Sequence, residues 1–382
     1  MISRRNFVSA GAATMLGSTL GARMAFAAAP TDKRFVFIIQ RGAADGLGTV
    51  APVGDPAFVR QRGVLAEDFA DAPRLDTLFA LHPQLAAVGS LYEAGQALFV
   101  HAAASAYRDR SHFDGQNVLE TGGSRAYALH DGWMNRMLSL LPANDARGIA
   151  VAASVPLAMR GPVSVASYAP SNLPDASEDL MTRVGMLYAG DVELDAAWRQ
   201  ATATRAVAGD AGARRNAQAT GELAARLLAD PGGSRVAMIE TGGWDTHAQQ
   251  RGRLGAQLGN LDRLIGALRD GLGPLWDDTL VVVATEFGRT VRVNGTGGTD
   301  HGTASCAMLL GGGVAGGRVL ADWPGLSDGA LHENRDLRPT TDLATILTGT
   351  VSAHYRVDPA LAMRAMFPDA RSGPAVEGLM RG

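Results

Sequence analysis

Several stretches of the chain are apolar at every position rather than at alternate ones. Phe35-Val36-Phe37-Ile38-Ile39 and Leu280-Val281-Val282-Val283-Ala284 are the clearest. Continuous β-rich runs of this length read as strands buried on both faces. Similar runs predict strands at 97–100, 148–155, 235–240 and 304–310, with a short β-like piece at 160–165. Between them the apolar spacing becomes helical. Leu85, Val88, Leu91 and Tyr92 follow His82-Pro83 and stop near Gly95, and Ser111 stands at a helix start. The Ala- and Arg-rich stretch 191–228 predicts one or two amphipathic helices, with further helices at about 248–270 and 341–347. This alternation predicts an α/β fold, a central mostly parallel sheet with helices on both faces, in a single domain from 28 to 382.

The first 27 residues do not belong to that pattern. Arg4-Arg5 precedes a mildly apolar, Gly- and Ala-rich stretch from Val8 to Leu20, and Ala25-Phe26-Ala27 offers a small-x-small cleavage site. Paired arginines ahead of such a stretch resemble a twin-arginine signal, which hands a folded chain to the twin-arginine export machinery. The stretch is too short and glycine-rich for a good membrane span. A periplasmic or otherwise exported protein is expected, with no stable membrane span in the mature chain.

Composition narrows the function classes. The chain is 46% hydrophobic and 19% charged with a net charge of -3, which gives no reason to expect nucleic-acid binding. The single cysteine, Cys306, excludes an intrachain disulfide and a multi-cysteine zinc site, and its apolar neighbours make it a small buried strand residue.

Chemistry gathers in the loops after the apolar runs, where α/β proteins bind ligands. Asp45 follows the first run, Asp245 and His247 the run ending at Ile239, and Glu286 the run ending at Ala284; Asp300 and His301 lie in the glycine-rich loop beyond. A lone Asp-x-His is common in surface loops, but several such clusters in one chain point to a shared divalent metal, Zn or Mn by donor type. Asp245 and His247, two apart, share one side of an extended segment. Ser111, at a helix N-terminus beside Arg108, Arg110 and His112, is the candidate nucleophile, and Arg110 and Arg289 are candidates to offset the charge of a tetrahedral anion. His101, ending a strand, is a secondary candidate; His82 reads as structural.

The Arg41-Gly42-x-x-Asp45-Gly46 loop, Arg110-Ser111-His112-Phe113-Asp114, Gly243-Trp244-Asp245-Thr246-His247, Thr285-Glu286-Phe287-Gly288-Arg289 and Asp300-His301-Gly302 together resemble the bacterial family called domain of unknown function 1501. That resemblance covers essentially the whole chain after the leader. It implies an alkaline phosphatase- and sulfatase-like fold carrying a hydroxyl or modified-cysteine nucleophile and one or two metal ions. Asp45, Asp245, His247, Glu286 and His301 would then match metal-ligand positions, and Ser111 the nucleophile. Phe287 stands where many members of the superfamily have histidine, and the two-residue spacing of Asp245 and His247 is shorter than theirs. The expectation is a metal-dependent hydrolase of phosphate or sulfate esters, acting on a small-molecule or polymer-borne anionic ester. The alternative is a non-catalytic exported metal- or ligand-binding or assembly protein on the same fold.

Overall fold

The computed structural model describes residues 32–142, 147–169, 176–208, 216–370 and 373–381; the leader 1–27 lies outside them. Its strands are β1 (Arg34–Gln40), β2 (Val50–Ala51), β3 (Ala80–Leu81), β4 (Ala97–Ala104), β5 (Gly148–Val151), β6 (Val165–Ser167), β7 (Val236–Thr241), β8 (Thr279–Thr285), β9 (Ser305–Leu310), β10 (Arg318–Leu320) and β11 (Thr341–Asp342). Strands β2 and β3 pair with each other; the others form one sheet in the order β10-β4-β9-β8-β1-β7-β5-β6, with β11 also on β4. Strand β1 lies at the centre, and Phe37 is flanked by Met238 on one side and Val282 on the other. Every pairing in this sheet is parallel except those of β9 with β4 and β8. The mostly parallel sheet expected from the apolar runs is therefore present.

Alternate side chains of the buried strands feed two cores. Val36, Ile38, Ala237, Ile239, Val281 and Val283 pack under the helices Ala86–Glu93, Ala217–Ala229 and Gln250–Leu272. Phe35, Phe37, Met238, Leu280 and Val282 pack under Trp133–Leu138, Leu343–Tyr355 and Pro359–Met366. Both faces are apolar because both are covered, which is why these strands show no polar alternation.

The antiparallel setting of β9 positions the site. The segment 286–304 leaves β8 and enters β9 at the same edge of the sheet, so Glu286, Arg289, Asp300 and His301 all stay where β1 and β7 also end.

Several boundaries differ from expectation. Strand β5 stops at Val151, short of Pro156, and the β-like piece expected at 160–165 starts only at Val165, because Pro162 supplies no N–H to a ladder. The last expected helix runs from Leu343 to Tyr355, with the Asp342 carboxylate capping it through the Ala344 N–H. A further helix, Glu178–Tyr188, lies ahead of the stretch read as helical, and Val192–Ala208 and Ala217–Ala229 are the helices described within that stretch.

Cys306 is buried in β9, and burial pushes its thiol up, as fits an inert core residue. His101 and His354 are buried with Nε2 against the carbonyls of Val50 and Arg34, both at 2.8 Å. Burial lowers each imidazole to about 4. An unfolded histidine titrates near 6.5, so between these values the unfolded chain binds more protons. Stability should be full above pH 6.5 and fall as pH drops towards 4, by about 1.4 kcal/mol per pH unit for each imidazole. Thermal denaturation over that range checks this: replacing His101 by Gln should flatten the slope, and an unchanged slope contradicts it.

Candidate metal centre

Four segments meet at the carboxyl edge of the sheet. The loop after β1 makes its turn at Gly42, whose φ of +121° suits glycine and whose Cβ would lie 2.7 Å from the Asp245 backbone nitrogen. That close approach brings the loop after β7, with Asp245 and His247, against the loop after β1. The segment between β8 and β9 adds His301 and Asp300. The helix His112–Thr121, reached from β4, adds His112 in its first turn.

Three imidazoles converge on the Asp245 carboxylate. Asp245 Oδ1 lies 3.0 Å from His247 Nε2 and 3.1 Å from His301 Nε2, while Oδ2 lies 3.5 Å from His112 Nε2. The Nε2 atoms of His247 and His301 are themselves 3.0 Å apart. His112, Asp245 and His301 each offer a ligand atom within 4.8 Å of the others.

The opposite ring nitrogens each face an acceptor. His112 Nδ1 faces Glu286 Oε1 at 2.8 Å, His301 Nδ1 faces the Arg110 carbonyl at 2.9 Å, and His247 Nδ1 faces Asp300 Oδ1 at 3.3 Å. Each of those partners accepts hydrogen bonds, so each Nδ1 is placed to donate, and each ring turns its Nε2 toward Asp245. With Nδ1 as the protonated nitrogen, the three Nε2 atoms would present lone pairs beside the carboxylate, an arrangement that a cation among them would stabilise. His112 Nε2 is buried without a hydrogen-bond partner, as a ligand nitrogen would be. Imidazole nitrogens and one carboxylate, with the far nitrogens held by acceptors, fit Zn²⁺ or another borderline divalent ion.

The residues expected as ligands divide. Asp245, His247 and His301 are in the cluster. Asp300 lies behind His247, sharing its carboxylate with the Asn294 amide at 3.1 Å. Glu286 is fully buried, and Oε1 alone accepts from the Gly42 and Ala43 N–H groups, the Gln116 amide and His112. Thr285 donates to Oε2 at 3.0 Å. This carboxylate orients His112 rather than taking a ligand position.

Asp45 stands apart from the cluster. It caps the short helix Gly46–Thr49 and is buried in an ion pair with Arg62, with the Gln250 amide donating to the same oxygen. Gln250 Oε1 accepts from Thr246 at 3.0 Å and Thr299 at 2.6 Å; Thr299 Oγ1 accepts from Arg289 Nε at 2.9 Å, and Arg289 reaches Asp245 Oδ1 at 2.9 Å. Asp45 thus belongs to a buried network that ends under the clustered carboxylate.

Neither arginine expected to meet an anion is placed for it. Arg289 is buried on Asp245, Thr299 and the Gly42 carbonyl, and Arg110 is paired with Asp336 and Glu333. Ser111 occupies the cap position of its helix, but its hydroxyl makes no cap hydrogen bond, and its N–H donates to the Tyr107 phenol at 3.0 Å. His101 is far from the cluster chemically, bonded within its own bulge and to Val50.

In the sequence, His112 groups with Arg108 and Arg110 as part of an anion site around Ser111, not as a metal ligand. The signal for more was a histidine in the first turn of a helix that starts at a strand edge, beside the other loops.

The site's carboxylates are held ionised, and the hydrogen bond to Glu286 raises His112 above its ordinary value. Burial pulls the Asp245 carboxyl up, but hydrogen bonds from Arg289 and His301 and the nearby His247 hold it below its ordinary value. Glu286 likewise stays low despite burial, through His112, backbone N–H groups and Gln116. The Asn294 amide lowers Asp300. His301 is lowered by burial and by His112, which favours the neutral, ligating form.

No curated protein sequence matches the chain. Among solved structures, the zinc complex of the C-terminal periplasmic domain of EcEptC from Escherichia coli is similar over 74% of this chain and 73% of its own, at 10% identity and a TM-score of 0.39. Ps i-CgsB in complex with a neocarrahexaose is similar over 88% and 76%, at 11% identity and 0.42. Alkaline phosphatase from the Antarctic bacterium TAB5 is similar over 90% and 100%, at 10% identity and 0.38. Residues 32–367 match the family model described as protein of unknown function (DUF1501), and the chain belongs to that family.

Proposed function

We propose that the protein is an exported, metal-dependent hydrolase of phosphate or sulfate esters in which His112, Asp245, His247 and His301 hold one divalent ion, Zn²⁺ or Mn²⁺. The observation that carries this reading is the set of three imidazoles, each with Nδ1 on an acceptor and Nε2 turned toward one carboxylate. A bound divalent ion supplies Lewis-acid stabilisation of negative charge on an ester oxygen. The chain's own part is to hold the ligands in place and to present a nucleophile. Glu286, Asp300 and the Arg110 carbonyl fix the three rings, and Arg289 fixes the carboxylate.

Ser111 is the proposed nucleophile. It is adjacent in sequence to His112, and its hydroxyl is not spent on capping the helix. Arg110 and Arg289, engaged with carboxylates, act on the site's geometry rather than on the substrate. Metal-loaded protein should hydrolyse an aryl phosphate or an aryl sulfate, and Ser111→Ala should lower kcat/KM by about 10³-fold or more. Turnover that survives Ser111→Ala removes the serine from this role.

The engaged arginines favour a second reading, a metal-binding or assembly protein without catalysis. Stoichiometric metal with no turnover of either ester would select it. Export rests on Arg4-Arg5 and the leader-like stretch that follows. No helix among the described residues is long and apolar enough to cross a membrane. Retention in the cytoplasm on joint Arg4→Lys and Arg5→Lys substitution tests the route; unimpaired export refutes it.

A further inference from the structure

The backbone just ahead of Ser111 is held in a conformation that its residue does not favour. Arg110 has a φ of +62°, in the left-handed region that few residues with a long side chain adopt. Such outliers persist where the surroundings over-determine them. Here the surroundings are a turn far along the chain. His332 and Asp336 exchange both backbone hydrogen bonds, at 2.9 and 3.0 Å. Between them Glu333 and Asn334 are left-handed too, with φ of +53° and +54°. Asp336 is fully buried and accepts from Arg110 Nε at 2.8 Å, and Glu333 accepts from Arg110 Nη2. Two carboxylates of one turn therefore grip one guanidinium.

The left-handed residue aims a single peptide unit at both halves of the site. The Arg110 carbonyl faces His301 Nδ1 at 2.9 Å, and the N–H of the same peptide, on Ser111, donates to the Tyr107 phenol at 3.0 Å. Relaxing Arg110 to a negative φ would swing this peptide off those partners. The same turn reaches His301 a second time, where Arg335 Nη2 donates to its carbonyl at 2.8 Å. Tyr107 packs on Phe287, with ring centroids 6.2 Å apart, and Phe287 stacks on the His112 ring at 5.2 Å. The turn 332–336 supplies no atom to the cluster, yet it bears on His301 through two contacts and on Ser111 through one.

We propose that Arg110 is a positioning residue. Clamped by Asp336 and Glu333, its side chain locks the 110–111 peptide, which fixes His301 for the metal and Ser111 for attack together. This rests on the metal centre proposed for His112, Asp245, His247 and His301. It assigns the Arg110 charge to the shape of the site rather than to an anionic substrate, and it makes metal binding and presentation of the serine one coupled event. Partners that orient a metal ligand commonly change affinity by about 10–100-fold.

Comparing Arg110→Ala with Arg110→Gly tests this, because glycine takes the left-handed conformation freely and alanine does not. Zinc affinity, read by competition with a chelating dye, should fall about 10–100-fold in Arg110→Ala. Arg110→Gly lacks the same charge and should recover at least about fivefold of that loss. Glu333→Gln, at an exposed position, weakens the clamp without stranding Asp336 and should lower affinity by less. Amide exchange at Ser111 gives a reading in the metal-free protein. It should be at least about tenfold faster in Arg110→Ala than in the wild type, with Arg110→Gly between them, and zinc should slow it in the wild type. Wild-type affinity in Arg110→Ala overturns the proposal, as do equal losses in the alanine and glycine variants. A wild-type chain that binds no zinc removes the metal centre instead, and unchanged Ser111 exchange in Arg110→Ala would then overturn the clamp as well.

Discussion

Changing His112 to alanine is expected to leave the folded chain without its divalent ion, whereas the wild type recovered from the cytoplasm should hold one ion per chain. The variant removes the buried Nε2 that has no other partner and also releases Glu286 from its 2.8 Å contact. Glu286 would remain held by Gly42, Ala43, Gln116 and Thr285, so the fold should survive. Glu286→Gln should act in the same direction but less strongly. It leaves the ligand in place and weakens its orientation, an effect of about 10–100-fold in metal affinity. Elemental analysis of both proteins after gel filtration reads the difference. Full metal occupancy in His112→Ala would remove His112 from the ligand set and break the proposed centre.

The largest expected effect on stability lies away from the metal. Arg62→Ala leaves the Asp45 carboxylate buried without its counter-charge, which costs about 3–5 kcal/mol in comparable buried pairs. In a domain of this size that is a fall in Tm on the order of 5–10 °C. Arg62 also donates to the carbonyls of Thr290 and Val291, so the loss should loosen the segment leading to His301. The paired substitution Asp45→Asn separates the two roles Asp45 has been given. As the end of a buried network it should lower stability while the folded protein keeps its ion. Loss of the ion from a normally stable Asp45→Asn protein would restore Asp45 as a ligand.

The two roles of Asp45 illustrate where sequence ran out. It sits past a strand in a glycine-bearing loop, as a ligand would, and its true partner Arg62 lies 17 residues later in a segment with no clear periodicity. Burial beside a guanidinium cannot be read from such a stretch. Asp245, His247 and His301 were legible because strand-end loops in a mostly parallel sheet share one edge, whatever the order of the strands. The antiparallel turn of β9, which returns His301 to that edge, was not legible from its apolar run alone.

Glu286 shows a different limit. Spacing places a carboxylate at the end of β8 but cannot count the hydrogen bonds it accepts. Four donors on Oε1 make it a support for His112, and the backbone of the glycine turn at Gly42 supplies part of that count. His112 was hidden by its neighbours, since Arg108, Arg110 and Ser111 together read as an anion site. In the fold, Arg108 turns to the carbonyls of Ser105 and Tyr107, and Arg110 to Asp336 and Glu333, which leaves the histidine as the group that reaches the cluster. The central strands are plain for a physical reason: with both faces covered, β1 and β8 carry polar residues only at their ends.

X-ray absorption at the metal edge of the zinc-loaded wild-type chain would show whether three imidazoles and a carboxylate hold one divalent ion. The expected spectrum is that of a four-coordinate shell of nitrogen and oxygen at about 2.0–2.2 Å with the outer-shell scattering of three imidazole rings. A chain that takes up no stoichiometric ion, or a shell with one imidazole or none, would contradict it.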